Sequence, residues 1–346
     1  MVKKLSLAAL IAMGSMSVAT ATPLEDAIKN VDVSGYFRYR LTKKNDTSAS
    51  HEYKAVIGFT KNITDDVKVK FTTVGKTISD TTGADQETTF GIKELYGIYK
   101  NNALTVKAGE MGIATPLTDH TADFGTGVVA CYNVAGVKVV GAGFANSNIA
   151  AGNNIYALAA IGSADMVKYD VWAFKVNNAV DNEIFANVSA NLGAVSVIAQ
   201  YAYQNPKAGK DQTFAGLAAA TSVSNVNLTA AALHFGKDGA GVQLGSDDSE
   251  LLKAGEQAAD LIGTSTLKDG NALAAVVSTN VSGVKVGADL VLVKDAIGGN
   301  GDASELVLRA GKKIAKNFNL KGYYSNLRAH GLGYSRKIRV EAKYSF

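Results

Sequence analysis

The stretch from Arg336 to Phe346 alternates without interruption. Ile338, Val340, Ala342, Tyr344 and Phe346 fall on one face, and Lys337, Arg339, Glu341, Lys343 and Ser345 on the other. A period of two is the signature of a β-strand. A strand charged on one whole face and apolar on the other fits lipid outside and water inside, the arrangement of a transmembrane barrel. Val31 to Leu41 repeats the pattern: Val31, Val33, Phe37, Tyr39 and Leu41 alternate with Asp32, Ser34, Arg38 and Arg40. Terminal strands of matching character allow the sheet to close on itself, which removes both edges.

The N-terminus reads as a leader rather than as part of the fold. Lys3 and Lys4 precede an apolar run from Leu5 to Met13, and Ala19-Thr20-Ala21 is a cleavage site of small residues. Residues 1–21 are therefore expected to be a signal peptide and 22–346 the barrel domain. The apolar run is too short to cross a bilayer as a helix. With 35 Lys and Arg against 31 Asp and Glu, overall charge points to no strongly charged partner, and no nucleic-acid partner is expected. Thirty-five Gly and three Pro favour many short strands. The single Cys131 excludes an intrachain disulfide framework.

Short polar turns recur at Lys61–Asp66, Asn101-Asn102, Asn133–Gly136, Gly162–Asp165, Asn191–Gly193, Ser224-Asn225, Asn280–Gly283 and Lys316-Asn317. Asn and Gly accept the positive φ of tight hairpins. Longer segments lie between them: 42–50, 77–88, 111–126, 145–153, 177–183, 204–211, 238–271, 294–304 and 328–335. Alternating short and long connections give an all-β, antiparallel transmembrane barrel of 18 strands, with 16 as the alternative count. Ala272–Val277 and Phe214–Ala220 are apolar or small on both faces, so they should meet either a partner subunit or material inside the barrel. Loop 238–271 is expected outside, with a short helix through 250–260 capped by Ser249.

Catalysis finds little support. His51, His120, His234 and His330 show no metal-ligand spacing, and no nucleophile elbow or phosphate loop is present. A permeation path fits better. Arg38, Arg40, Arg309, Lys321, Lys337, Arg339 and Lys343 should all face inward on neighbouring strands and form a basic wall. On the lipid face near mid-bilayer each would cost ~2–4 kcal/mol. The wall either selects ions or is simply solvated. The third long loop is Gly-rich and carries Asp119 and Asp123. Folded inward, these carboxylates would oppose the wall and set a transverse field. Otherwise the segment is an ordinary external loop.

The segment Thr22–Gly35, followed by Arg38-Tyr39-Arg40, resembles the major outer membrane porins of Campylobacter and related epsilonproteobacteria. The resemblance implies an 18-stranded barrel, a homotrimer, a third loop folded into the lumen, and a largely non-specific, cation-preferring pore. It implies that Phe346, beside Tyr344, belongs to the signal read by the barrel-assembly machinery. It also suggests a calcium ion at the constriction, carried over to Asp119. Asp289, with Asp123 and Glu305, would be a further ligand by inward placement, since carboxylate oxygens suit calcium.

The expected function is that of a general diffusion porin in the bacterial outer membrane, passing ions and small hydrophilic solutes. Its surroundings would be outer-membrane lipid and lipopolysaccharide, and no cofactor is required. The rival readings are a substrate-specific channel and an adhesive or structural barrel acting through its external loops.

Overall fold

The computed structural model describes residues 31–45, 47–79, 89–149, 153–239, 244–245, 251–261, 267–297, 301–331 and 333–346. In chain order the strands are β1 (Val31–Lys44), β2 (Ser50–Asn62), β3 (Val67–Ser79), β4 (Thr89–Asn101), β5 (Leu104–Gly112), β6 (Phe124–Val134), β7 (Val137–Ala145), β8 (Ile155–Ala164) and β9 (Val167–Val176). There follow β10 (Val180–Asn191), β11 (Val195–Pro206), β12 (Gln212–Val223), β13 (Val226–Phe235), β14 (Gly270–Val281), β15 (Val284–Ile297), β16 (Gly301–Ala315), β17 (Phe318–Ala329) and β18 (Gly333–Ser345). A single helical turn, α1 (Ala258–Leu261), lies between β13 and β14. Each strand pairs with the next antiparallel, and β1 also pairs with β18, so 18 strands form one closed sheet.

Closure matters because no water inside a bilayer could satisfy a free strand edge. At the seam Arg40 faces Glu341 and Leu41 faces Val340. The backbone N–H and C=O of Phe346 each bond Gly35 at 3.0 Å. A Cβ on Gly35 would lie 2.1 Å from the carbonyl oxygen of Val56, so glycine is required there. Two tight turns use paired positive φ values, Ala135-Gly136 at 48° and 81° and Ser282-Gly283 at 49° and 77°. This is the two-residue hairpin whose twist matches the strands.

Several connections read as loops in the sequence are strand. β15 runs to Ile297 and β16 starts at Gly301, while β9 ends at Val176 and β10 starts at Val180. Segments 177–183, 294–304 and 328–335 thus shrink to a few residues. The alternation simply continues past the bilayer, and β16, at 15 residues, exceeds the ~9–11 that a crossing needs.

The larger correction concerns loop 238–271, which was expected outside. Its described residues fold into the lumen. Leu251, Ala258 and Leu267 join a buried cluster with Phe214, Leu233, Ala272 and Val291, all inward-facing strand residues. A Cβ on Gly216 would touch Leu252 at 3.1 Å. This explains the strands that are apolar or small on both faces: their inner sides meet this loop. The expected helix is reduced to α1, and Ser249 lies outside the described residues. The third loop also enters the lumen, with Ile113, Leu117 and Thr118 buried.

Removing Phe346 deletes one hydrogen-bonded seam residue and its ring contacts with Phe37 (5.8 Å) and Tyr344 (6.2 Å). The expected result is a large drop in outer-membrane protein level with unchanged single-channel conductance in the molecules that assemble. Normal surface levels of the truncated chain would contradict this.

Candidate functional site

The lumen has two unlike halves. On one side β6 to β15 turn Val129, Val140, Trp172, Phe174, Phe185, Phe214, Phe235 and Val293 inward. Such a wall would be poorly wetted, and each buried Phe or Leu contributes ~1.5–3 kcal/mol when covered. The third and seventh loops cover it. Leu117 of the third loop sits in the same cluster, and its carbonyl oxygen accepts the N–H of Leu244 from the seventh at 3.0 Å.

Polar contacts fix the two loops in place. Buried Glu305 on β16 accepts the backbone N–H groups of Glu256 (3.2 Å), Gln257 (2.9 Å) and Ala258 (2.7 Å), together with the Ser325 hydroxyl. One carboxylate therefore caps α1, satisfying donors that would otherwise be orphaned. The Gln257 side chain donates to Ser325 Oγ (2.7 Å) and to the Ser335 carbonyl (3.1 Å). Lys337 lies 3.7 Å from Asp260. The third loop is held by Lys93, the extra residue in a bulge where β4 pairs with β3. The bulge re-aims its ammonium, which donates to the Thr121 carbonyl.

Charge lines the other half of the lumen. Arg40 binds Glu341 through Nη2 (2.7 Å) and Nε (3.0 Å). Arg38 pairs with Glu52, and Lys76 lies 3.6 Å from the same carboxylate. Lys321 reaches Glu341 at 3.2 Å, Lys70 reaches Glu94 at 2.9 Å, and Arg309 pairs with buried Asp289. Arg339 donates to Thr42 Oγ1 (3.2 Å) and stacks 5.5 Å from the centre of the Tyr323 ring. A cavity of about 340 Å³ opens here, lined by Arg40, Lys285, Arg309, Lys321 and Arg339 with Glu256 and Glu341.

The structure thus brings Arg40, Arg309, Lys321 and Arg339 to one cavity. Arg38 lies beside it, in a network with Glu52 and Glu341. Asp119 and Asp123 do not oppose these groups as free charges. Asp123 Oδ2 accepts the Asp119 N–H (2.7 Å), and Asp119 accepts the N–H (2.7 Å) and hydroxyl (3.1 Å) of Thr121. Both carboxylates thus take hydrogen bonds from within their own loop. The wall is also not purely basic, because Glu52, Glu94 and Glu341 interleave with it. The signal for Glu52 was present in β2, where Glu52, Lys54 and Thr60 alternate with Tyr53, Ala55, Ile57 and Phe59. Glu256 had no such signal, since it reaches the cavity from an irregular loop.

Calcium fits this arrangement poorly. No group of three or more His, Cys, Asp or Glu side chains converges among the described residues. Asp119 is engaged by Thr121, Asp289 by Arg309, and Glu305 by the seventh loop. Hard-cation sites need several oxygens turned to one point, and these point elsewhere.

Glu305→Ala leaves three loop N–H groups without their acceptor, at a cost of about 1–3 kcal/mol for each one buried. The expected outcome is faster tryptic cleavage after Lys253 and noisier conductance, with the barrel still folded. Unchanged cleavage would show that the apolar contacts alone hold the loop.

The comparisons agree with this geometry. Residues 1–148 match the family model described as Campylobacter major outer membrane protein. No curated protein sequence matches the chain. Among solved structures, Pseudomonas aeruginosa OccK3 (OpdO) is similar at 12% identity and a TM-score of 0.74, covering 93% of this chain and 97% of that one. Acinetobacter baumannii OccAB1 gives 12% identity and 0.74 over 92% and 97%. Pseudomonas aeruginosa OpdK, solved with vanillate, gives 10% identity and 0.75 over 92% and 99%. At these identities the structural likeness speaks for the barrel itself. The fold is that of outer-membrane porins. The chain is a passive porin channel of the bacterial outer membrane, and its first 148 residues carry the pattern of the Campylobacter major outer membrane protein family.

Proposed function

We propose that this porin is a general diffusion channel for small hydrophilic solutes, and that its narrowest charged region favours anions. The observation that carries this is the cavity in which Arg40, Lys285, Arg309, Lys321 and Arg339 meet two carboxylates, Glu256 and Glu341. Among the described residues, Lys285 and Arg339 form no ion pair. Fixed charges in a low-dielectric constriction concentrate counter-ions, so an excess of cations there draws anions. This opposes the cation preference implied by the sequence resemblance.

A second reading is a channel for particular carboxylate solutes. OpdK, with the same barrel, was solved with vanillate. In this chain Arg339 over Tyr323, beside Arg309 and Lys321, supplies an aromatic face and three cations for such a group. Conductance that saturates with one solute would favour it.

A homotrimer has support from the outer surface. A groove of about 560 Å³ runs along the lipid-facing side of β11 to β16, lined by small and apolar residues including Ala219, Ala230, Ala275, Ala288 and Leu290. Small residues let another barrel approach closely. Assembly through the barrel-assembly machinery, with Tyr344 and Phe346 as the signal, belongs to the same proposal.

The test is the reversal potential of the purified protein in a planar bilayer under a salt gradient. The anion side is expected at neutral pH, and a cation-side potential would sink the proposal. Glu256→Gln should move the potential further toward anions. Burial pushes the Glu256 carboxyl up, against the pull of Arg309, Arg339 and Lys337. It therefore protonates earlier than an exposed Glu as pH falls. Mild acidification should mimic Glu256→Gln in the native protein and do little in the variant.

A further inference from the structure

We infer that a second anion site lies between the third loop and β2–β4, built by Lys54, Lys76 and Lys93 for the phosphoryl group of a small hydrophilic solute. It shares no lining residue with the cavity of Arg40, Arg309 and Arg339. It deepens the anion reading of the lumen and needs from that reading only an open passage.

Strand register gives the first reason. Four inward cations stand directly across from one another: Lys343 faces Arg38, Arg38 faces Lys54, and Lys54 faces Lys76. Like charges in opposed positions destabilise a sheet, so each calls for a compensating partner. Three of them have one. Arg38 pairs with Glu52, Lys76 lies 3.6 Å from the same carboxylate, and the Lys343 ammonium sits 4.2 Å from the centre of the Tyr36 ring. Lys54 is half-buried between Arg38 and Lys76, and it has no ion pair or hydrogen bond among the described residues. The neighbouring carboxylates are engaged elsewhere. Glu94 takes Lys70 at 2.9 Å and the Thr72 hydroxyl at 2.7 Å, and Asp119 accepts the Thr121 N–H.

The second reason is a cavity of about 500 Å³ where Lys54, Lys76 and Lys93 meet. Thr89 and Thr121 stand beside them, and among the described residues Glu110 is the one carboxylate in the lining. Three ammonium groups against one carboxylate leave an excess of positive charge. Lys93 is also held in advance: its ammonium donates to the Thr121 carbonyl and lies 4.6 Å from the centre of the Phe124 ring. An ammonium fixed in this way loses less freedom when it binds an anion. Lysines on three different strands offer separate point charges rather than the planar fork of a guanidinium. That suits a phosphoryl group, with several charged oxygens, better than a flat carboxylate.

The test is single-channel recording of the full-length protein in a planar bilayer, with pyrophosphate, glycerol phosphate, sulfate or glycerol added to one side. Current interruptions by pyrophosphate, weakened about tenfold in Lys54→Gln and further in the Lys54→Gln, Lys93→Gln double variant, support the site. Interruption by glycerol phosphate as well identifies phosphorylated solutes as its ligands. Interruption by pyrophosphate alone identifies the free inorganic anion. Equal interruption in Lys54→Gln overturns the site. So does equal affinity for sulfate, which assigns the cluster to any divalent anion, or interruption by glycerol. Loss in Arg339→Gln with Lys54→Gln unaffected also overturns it and assigns the anion to the first cavity. Lys54→Gln takes a charge out of a like-charged row, so its barrel is expected to assemble. If the double variant does not, Lys54→Gln alone decides. The reversal potential in potassium chloride is read on the same channels. A cation-side value sinks the general anion preference, while the pyrophosphate interruptions still decide this site.

Discussion

Everything in this molecule follows from the impossibility of leaving a peptide group unpaired in hydrocarbon. The sheet has to close, and closure fixes an inside and an outside for every residue at once. Because side chains alternate with strict period two, one sequence can then be read into lipid on one face and into the lumen on the other. Gly35 is where this demand is sharpest. It sits at the seam, bonded through both backbone groups to Phe346, with no room for a side chain.

Closure does not dictate what fills the lumen. Here the inner wall changes character around the circumference, from charged over β15–β18 and β1–β4 to mostly apolar over β6–β14. A wide barrel with a uniformly polar interior would hold water throughout. This one places two loops against its apolar side, and a cavity of about 340 Å³ lies along the charged side. The seventh loop is held both by packing, through Leu251 and Leu267, and by a single buried carboxylate, Glu305. Hydrophobic burial gives the loop its position, and the hydrogen bonds give it its register.

The barrel was legible in the sequence because its signal is local and periodic: Arg336–Phe346, Val31–Leu41 and the Asn/Gly turns each read correctly on their own. The inward course of the seventh loop was not, for a physical reason. An inward apolar face on Phe214–Ala220 looks the same whether a partner, lipid or a loop covers it, and periodicity carries no information about a segment tens of residues away. The same limit explains the carboxylates. Inward placement of Asp289 and Glu305 followed from strand alternation, whereas their partners, Arg309 and the N–H groups of 256–258, are matters of tertiary geometry. Asp119 and Asp123 were placed on the right loop, and each accepts a hydrogen bond from within it.

The inward course of the seventh loop changes what its loss would mean. Excising a surface loop normally widens a channel. Here it would uncover a greasy trench lined by Phe214, Phe235, Leu233 and Val291 along the inner wall. Such a trench repels water yet retains oily molecules. A shortened loop would therefore leave an adsorbing surface beside the aqueous passage.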